Sequence, residues 1–296
     1  MNELELINII KTHTGCEFIG DDCAYLNEFN IVISQDNLVE NIHFKRNWCT
    51  PYQLGYKAVT VNISDILASG AKPEYITIGL SLPNNITSSF VDEFYKGTSA
   101  ALYGAKIVGG DITGSKTDII ISISAIGSTL NRKISSRANA KQGYSVVTHG
   151  IYGASALGLM ALQDNKKNEF IKYHLEPKLN PLFSKVISEN IKEDYAMMDT
   201  SDGLLDCLFK IAEASNVKIS VDYNLIPRPQ AASREQILFG GEDYNLVAVI
   251  PNKYISSIPD AVVIGTVEKY DGVYVDISGE KFKQYEQIKV YNHFGE

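Results

Sequence analysis

The longest apolar runs in this chain, Ile119 to Ile121 and Leu246 to Ile250 among them, are strand-sized, and turns rich in glycine and aspartate keep interrupting them. Such runs fall far short of the ~20 apolar residues needed to cross a bilayer as a helix. Strands must therefore alternate with helices. Residues 3–12 read as a short helix and residues 30–34 as a buried strand that delivers Asp36 at its end. The spacing of Leu54, Ala58, Ile66 and Leu67 predicts a helix from Pro51 to Ser69, with proline at its start and Gly70 just past its end. A strand over Tyr75–Leu82, a helix over Ser88–Tyr103 and a strand over Ala105–Val108 follow, with Gly109-Gly110-Asp111 as a tight turn. Residues 118–127 give the strongest strand signal, expected to close the first sheet.

The polar stretch Asn131–Gly143 precedes a second series: strands at 195–199, 217–221 and 244–250, and a helix over Gly203–Ala214. The expectation is an α+β chain of mixed sheets in two domains, residues 1–140 and 141–296. With 296 residues, 45% of them hydrophobic, there is material for two cores. The formal charge of −8 and the lack of clustered Lys and Arg argue against a nucleic-acid face. The first residues lack the basic and apolar regions of a signal peptide, so a cytoplasmic setting is expected. The four cysteines have no CxxC spacing and predict free thiols.

The turns carry the chemistry. Gly20-Asp21-Asp22 sets two carboxylates side by side; alone it reads as a solvated turn, but hard cations such as Mg²⁺ prefer carboxylate oxygens. Ser34-Gln35-Asp36 adds a hydroxyl and a carboxylate, with His43 seven residues on. Asn62 and Asp65 share one face of an otherwise apolar helix, where an unpaired carboxylate costs several kcal/mol to bury. A cation or a basic side chain must stand nearby. Gly109-Gly110-Asp111 and Asp199-Thr200-Ser201-Asp202-Gly203 repeat the pattern, the latter between a strand and a helix, where free N–H groups accept phosphate. Ser201-Asp202 also reads as a helix N-cap. Gly240-Gly241-Glu242-Asp243-Tyr244 places two acids before a strand. No Walker A, Rossmann or protein-kinase signature is present, so any nucleotide is held through metals and scattered turns.

Taken in order, GDDCAYL (20–26), SQDNLVENIHF (34–44), KAVTVNISDILASGAKP (57–73), GGDIT (109–113), TSDGLLD (200–206) and GGEDYNL (240–246) resemble the thiamine-monophosphate kinase family across nearly the whole chain, and the closing Tyr291-Asn292-His293-Phe294 resembles its C-terminal signature. The resemblance implies the fold shared with aminoimidazole-ribonucleotide synthetase and selenophosphate synthetase, a homodimer paired through N-terminal domains, and phosphorylation of thiamine monophosphate by ATP. It implies several Mg²⁺ ions on Asp22, Ser34, Gln35, Asp36, Asp65, Asp111, Asp199 and Asp202. Tyr95, Gly110, Asp111, Arg137 and Ser201 are then expected at ATP, and His43, Glu242 and Tyr291 at thiamine monophosphate. Asp36, Asp65, Asp111 and Arg137 are the expected catalytic set. Gln35 replaces the family's usual Thr, and Asn41 its frequent Gly.

The chemistry suits such a site. At ~4 Å two unit charges repel by about 4 kcal/mol at an effective dielectric near 20, so two meeting phosphates need cations. The acceptor phosphate is already largely dianionic at neutral pH and needs no general base. Other substrates of the same superfamily, and a non-catalytic ATP-binding module, are the alternatives; a module would be expected to lack some of the metal carboxylates, and here all are present.

Overall fold

The computed structural model describes residues 3–16 and 18–291. The mixed α/β reading holds. Strands β1 (Ala24–Leu26), β2 (Ile31–Val39), β3 (Lys72–Leu82), β4 (Lys106–Gly114) and β5 (Ile120–Ser128) form one sheet in the order β1-β2-β5-β3-β4. Strands β6 (Ser145–Thr148), β7 (Ala196–Asp199), β8 (Val217–Val221), β9 (Leu246–Ile250), β10 (Val262–Lys269), β11 (Val275–Ile277) and β12 (Glu280–Phe282) form a second, ordered β12-β11-β8-β10-β6-β9-β7. The helices are α1 (Glu3–Thr14), α2 (Pro51–Ala68), α3 (Ser88–Ala100), α4 (Ala154–Gln163), α5 (Ile171–Leu175), α6 (Pro181–Asn190), α7 (Leu204–Ser215) and α8 (Arg234–Phe239).

Helix α2 is the hub. Thr50 caps it, accepting the Gln53 amide while the Gln53 side chain accepts the Thr50 amide, and Pro51 supplies the preset first turn. From Leu54 to Ala68 it is buried almost all round, as a helix enclosed by protein must be. One side lies on β2, β3 and β5; the other meets β7, α5 and α6. It crosses α3 at Gly55 and Gly97, where a Cβ would stand 2.0 Å from the Phe94 carbonyl oxygen and 1.9 Å from that of Tyr52. Strand β9 divides its side chains by period two: Leu246, Ala248 and Ile250 enter the core around α2, while Val247 and Val249 enter the core around α7.

Three expectations need correction. Strand β2 does not stop before Asp36 but runs on to Val39, because Asn62 of α2 accepts the Asp36 amide at 3.0 Å and keeps the strand against the helix. Gly109-Gly110-Asp111 is not a turn. It lies inside β4, paired in parallel with β3, and Gly110 is required there by a φ of 155° and by the Ile78 carbonyl oxygen 2.0 Å from where its Cβ would be. Strand β5 is the last of the first sheet in sequence but sits at its centre, between β2 and β3.

Candidate active site

Three carboxylates converge at the C-terminal half of α2. Ligand oxygens of Asp22, Asp65 and Asp199 all lie within 4.8 Å of one another. Asp65 comes from α2, Asp199 from the end of β7, and Asp22 from the turn before β1. Two hydroxyls fix them: Ser34 donates to Asp65 Oδ2, and Ser64 donates to Asp199 Oδ2 at 2.5 Å. Burial, then the charges of Asp36, Asp199 and Asp22, push the Asp65 carboxyl well above the usual range. Burial and the Asp22 charge push Asp199 up to about 7. Burial also raises Asp22, against the pull of Arg137. Carboxylates gathered this way disfavour their own ionisation unless a cation joins them. The all-oxygen donor set fits a hard divalent ion.

Arg137 is the basic neighbour. Its Nη2 donates to Asp22 Oδ1 at 2.6 Å and its amide donates to Asp21 Oδ1 at 2.7 Å, so Asp21 fixes the Arg137 backbone while Asp22 meets its charge. Its Nε is buried without a hydrogen-bond partner.

The loops 199–203 and 240–245 are joined. The Glu242 amide donates to the Ser201 carbonyl at 2.7 Å, and Thr200 Oγ1 donates to the Asn245 carbonyl at 3.1 Å. A Cβ on Gly241 would meet the Ser201 oxygen at 2.5 Å, which accounts for the glycine. The N-cap reading of Ser201-Asp202 does not hold: the cap position of α7 is Gly203, at φ 112°, without a side-chain cap bond. Asp202 pairs instead with Lys210 at 3.3 Å, and Lys210 with buried Asp206 at 2.8 Å.

Toward the N-terminal half of α2 stands a second group. Buried Lys57 lies 3.0 Å from Glu242 Oε1, and His174 Nδ1 lies 3.1 Å from Glu242 Oε2. Glu242 and Tyr244 hold φ of 63° and 51°, a backbone region costing non-glycine residues roughly 1 kcal/mol or more each. His43, Lys57 and His174 line one pocket with Phe44, Trp48 and Cys49. His43 Nδ1 accepts the Val39 amide at 2.9 Å, which places the proton of the neutral ring on Nε2. Asn41, at φ 66°, adopts the left-handed conformation; asparagine is among the side chains that tolerate it.

Four expected residues, Gln35, Asp111, Gly110 and Tyr95, lie apart from the carboxylates. Side chains alternate along β2, so Ser34 and Asp36 face α2 while Gln35 faces the other way, bonded to Ser122 and Ser124. Asp111 pairs with Gly79, which alternates with buried Ile78 and Leu80, and so also faces away from α2. Its neighbour Gly110 is three strand steps from Asp36, across Ile78 and Ile123, or about 14 Å. Tyr95 belongs to α3, whose crossing at Gly55 is ten residues, about 15 Å, from Asp65 along α2. Tyr291 is exposed at the end of the described residues, and the other three residues of the C-terminal signature lie outside them. Ser64, Lys57, His174 and Lys210 escaped the sequence reading. Only Lys57 left a signal, as a cation inside an apolar helical pattern.

Residues 20–129 match the family described as AIR synthase related protein, N-terminal domain. The thiamine-monophosphate kinase of Aquifex aeolicus (strain VF5) is 33% identical over 296 residues, covering 93% of this chain and 94% of its own. The chain belongs to the thiamine-monophosphate kinase family. Its counterpart in Bacillus subtilis (strain 168) is 32% identical, covering 86% of this chain and 85% of its own. The solved structure of AaThiL complexed with AMPPCP and TMP superposes with a TM-score of 0.88 at 32% identity, covering 99% of this chain and 97% of that one. In this family member the converging carboxylates stand on the α2 side of the first sheet, and the opposite face of that sheet carries Gln35, Ser122, Ser124 and Asp111.

Proposed function

We propose that this chain transfers the γ-phosphoryl group of ATP in line to the phosphate of thiamine monophosphate, giving ADP and thiamine diphosphate, in the cytoplasm. The observation that carries the reading is the group of half-buried Asp22 and Asp65 with buried Asp199, gathered and mutually repelling, in a chain so similar to thiamine-monophosphate kinases. Magnesium held there would supply the positive charge that lets two phosphates approach. Ser34 and Asp36 complete the group from β2, and Asp202 extends it toward the loop of Ser201. Gln35 enters this arrangement only through its backbone carbonyl, since its side chain is on the far face.

Arg137 contacts nucleotide phosphate once a metal relieves it of Asp22, and Ser201 contacts it from the turn before α7. His43, Glu242 and Tyr291 hold the thiamine end. Residues 1–140 and 141–296 act as two domains with the reactants between them.

Tyr95, Gly110 and Asp111 work differently. They lie apart from the carboxylates within one chain, and β4 exposes Ile107, Val108 and Ile112. We therefore place them in a homodimer, each serving the nucleotide of the other copy. The overall reading is tested by incubating purified protein with Mg²⁺, ATP and thiamine monophosphate. Thiamine diphosphate should form, and no product above an Asp65→Ala control would refute it.

A further inference from the structure

Lys57 is 3% exposed and sits on a helix that is otherwise apolar at that level. A lysine so buried needs a partner, and it has two: Glu242 Oε1 at 3.0 Å and His174 Nε2 at 3.4 Å. An ammonium can only donate, so His174 Nε2 must accept, and the proton of the ring belongs on Nδ1, which faces Glu242 Oε2 at 3.1 Å. Ser155 Oγ lies 3.1 Å from the same Nδ1. Burial first, then Lys57, hold the His174 pKa down to about 4, so the ring is neutral near pH 7. The three groups then sum to zero charge. The Glu242 carboxylate is 28% exposed, and each oxygen keeps lone-pair capacity after its bond to Lys57 or His174. The left-handed backbone at Glu242 turns this side chain onto Lys57 while its amide stays bonded to Ser201.

Resting on the proposed thiamine substrate, we infer that Lys57 and His174 are positioning residues that hold Glu242 as a charge-balanced hydrogen-bond acceptor, so that the Glu242 carboxylate reads the neutral amino-bearing pyrimidine ring rather than the cationic ring. A carboxylate meant to balance a cationic ring would be left without a basic partner. Here that partner is already supplied by the protein, and what remains is directional acceptance of an N–H.

The test compares thiamine monophosphate with the analogue whose ring amino group is replaced by oxygen, in wild type and in Glu242→Gln, Lys57→Met and the double variant. Wild type should lose about tenfold or more in kcat/KM on the analogue, because the acceptor then faces an oxygen. Glu242→Gln, whose amide both donates and accepts, should narrow that gap to about threefold or less. Substituting a neutral ring for the cationic one should change the wild-type-to-Glu242→Gln ratio less than about twofold. Lys57→Met should raise KM for thiamine monophosphate about tenfold while moving KM for ATP less than about twofold, and the double variant should be no worse than Glu242→Gln alone.

Equal use of both ring forms by wild type overturns the inference, as does a Lys57→Met effect that falls equally on both substrates or adds in full to that of Glu242→Gln. Should Lys57→Met not fold, the comparison of wild type with Glu242→Gln still decides. Wild type that makes no thiamine diphosphate refutes the functional reading itself, and that is known before any variant is compared.

Discussion

The two halves of helix α2 treat charge in opposite ways. At Lys57 the protein supplies both signs, so a buried ammonium, a carboxylate and a neutral imidazole close on one another. Eight residues on, about 12 Å along the same helix, Asp65 meets Asp199 and Asp22, and Arg137 is bonded to Asp22. The difference identifies what each half awaits. On the proposed function the balanced half is organised for a hydrogen-bonding ligand, and the acidic half for divalent cations.

The comparison is broken most directly at the acidic half. On the proposed function Asp65→Asn should lower turnover by about a thousandfold or more, since it removes a charge that would position the ions opposite the reacting phosphates. Without metal the same change should stabilise the protein, because it removes repulsion from Asp36, Asp199 and Asp22; thermal melts in chelator check this.

Mixing Asp65→Ala with Asp111→Ala comes next. If Asp111 serves the other copy, a one-to-one mixture of the inactive variants contains hybrid dimers with one intact site, and should recover roughly a quarter of wild-type turnover. Recovery of nothing would put both residues in the same chain's site.

A third effect belongs to the balanced half. His174 is held down to about 4, chiefly by burial, against about 6.5 in an unfolded chain, and so, outside that half, is the buried His149, which packs on Phe183 and accepts the Leu246 amide at Nε2. Between those values the unfolded chain binds more protons than the folded one, so stability rises with pH across that window and is lost as pH falls from about 6.5 toward 4. Each histidine should contribute a loss on the order of 1–2 kcal/mol between pH 7 and pH 5, read by denaturant titration, with His149→Gln removing its share. The smallest effect is expected for Gln35→Thr. Its side chain faces away from the carboxylates, so kcat/KM should change by less than about threefold in a steady-state assay.

How much of this was legible beforehand follows from the range of each interaction. Helix α2 announced itself through its apolar period, its proline start and the glycine beyond its end, and all three are local signals. Asn62 and Asp65 were legible as partners on one face, and both reach β2. Gly109-Gly110-Asp111 was misread as a turn because glycine marks close backbone approach as well as turns, and what approaches, the Ile78 carbonyl, is distant in sequence. The separation of Asp111 and Gln35 from Asp36 depends on strand pairing, which no local pattern encodes. His174 left no signal, because its partners Lys57 and Glu242 are 117 and 68 residues away.

The central claim is that Asp22, Asp65 and Asp199 form a divalent-cation site. Thermal denaturation of wild type and Asp65→Asn across a Mg²⁺ titration tests it without reference to turnover. At about a hundred times the dissociation constant, one bound ion should stabilise wild type by about 2.7 kcal/mol, a rise of several degrees in Tm, and should leave Asp65→Asn nearly unmoved. A melting temperature that ignores Mg²⁺ in wild type, or rises equally in both proteins, would contradict the account.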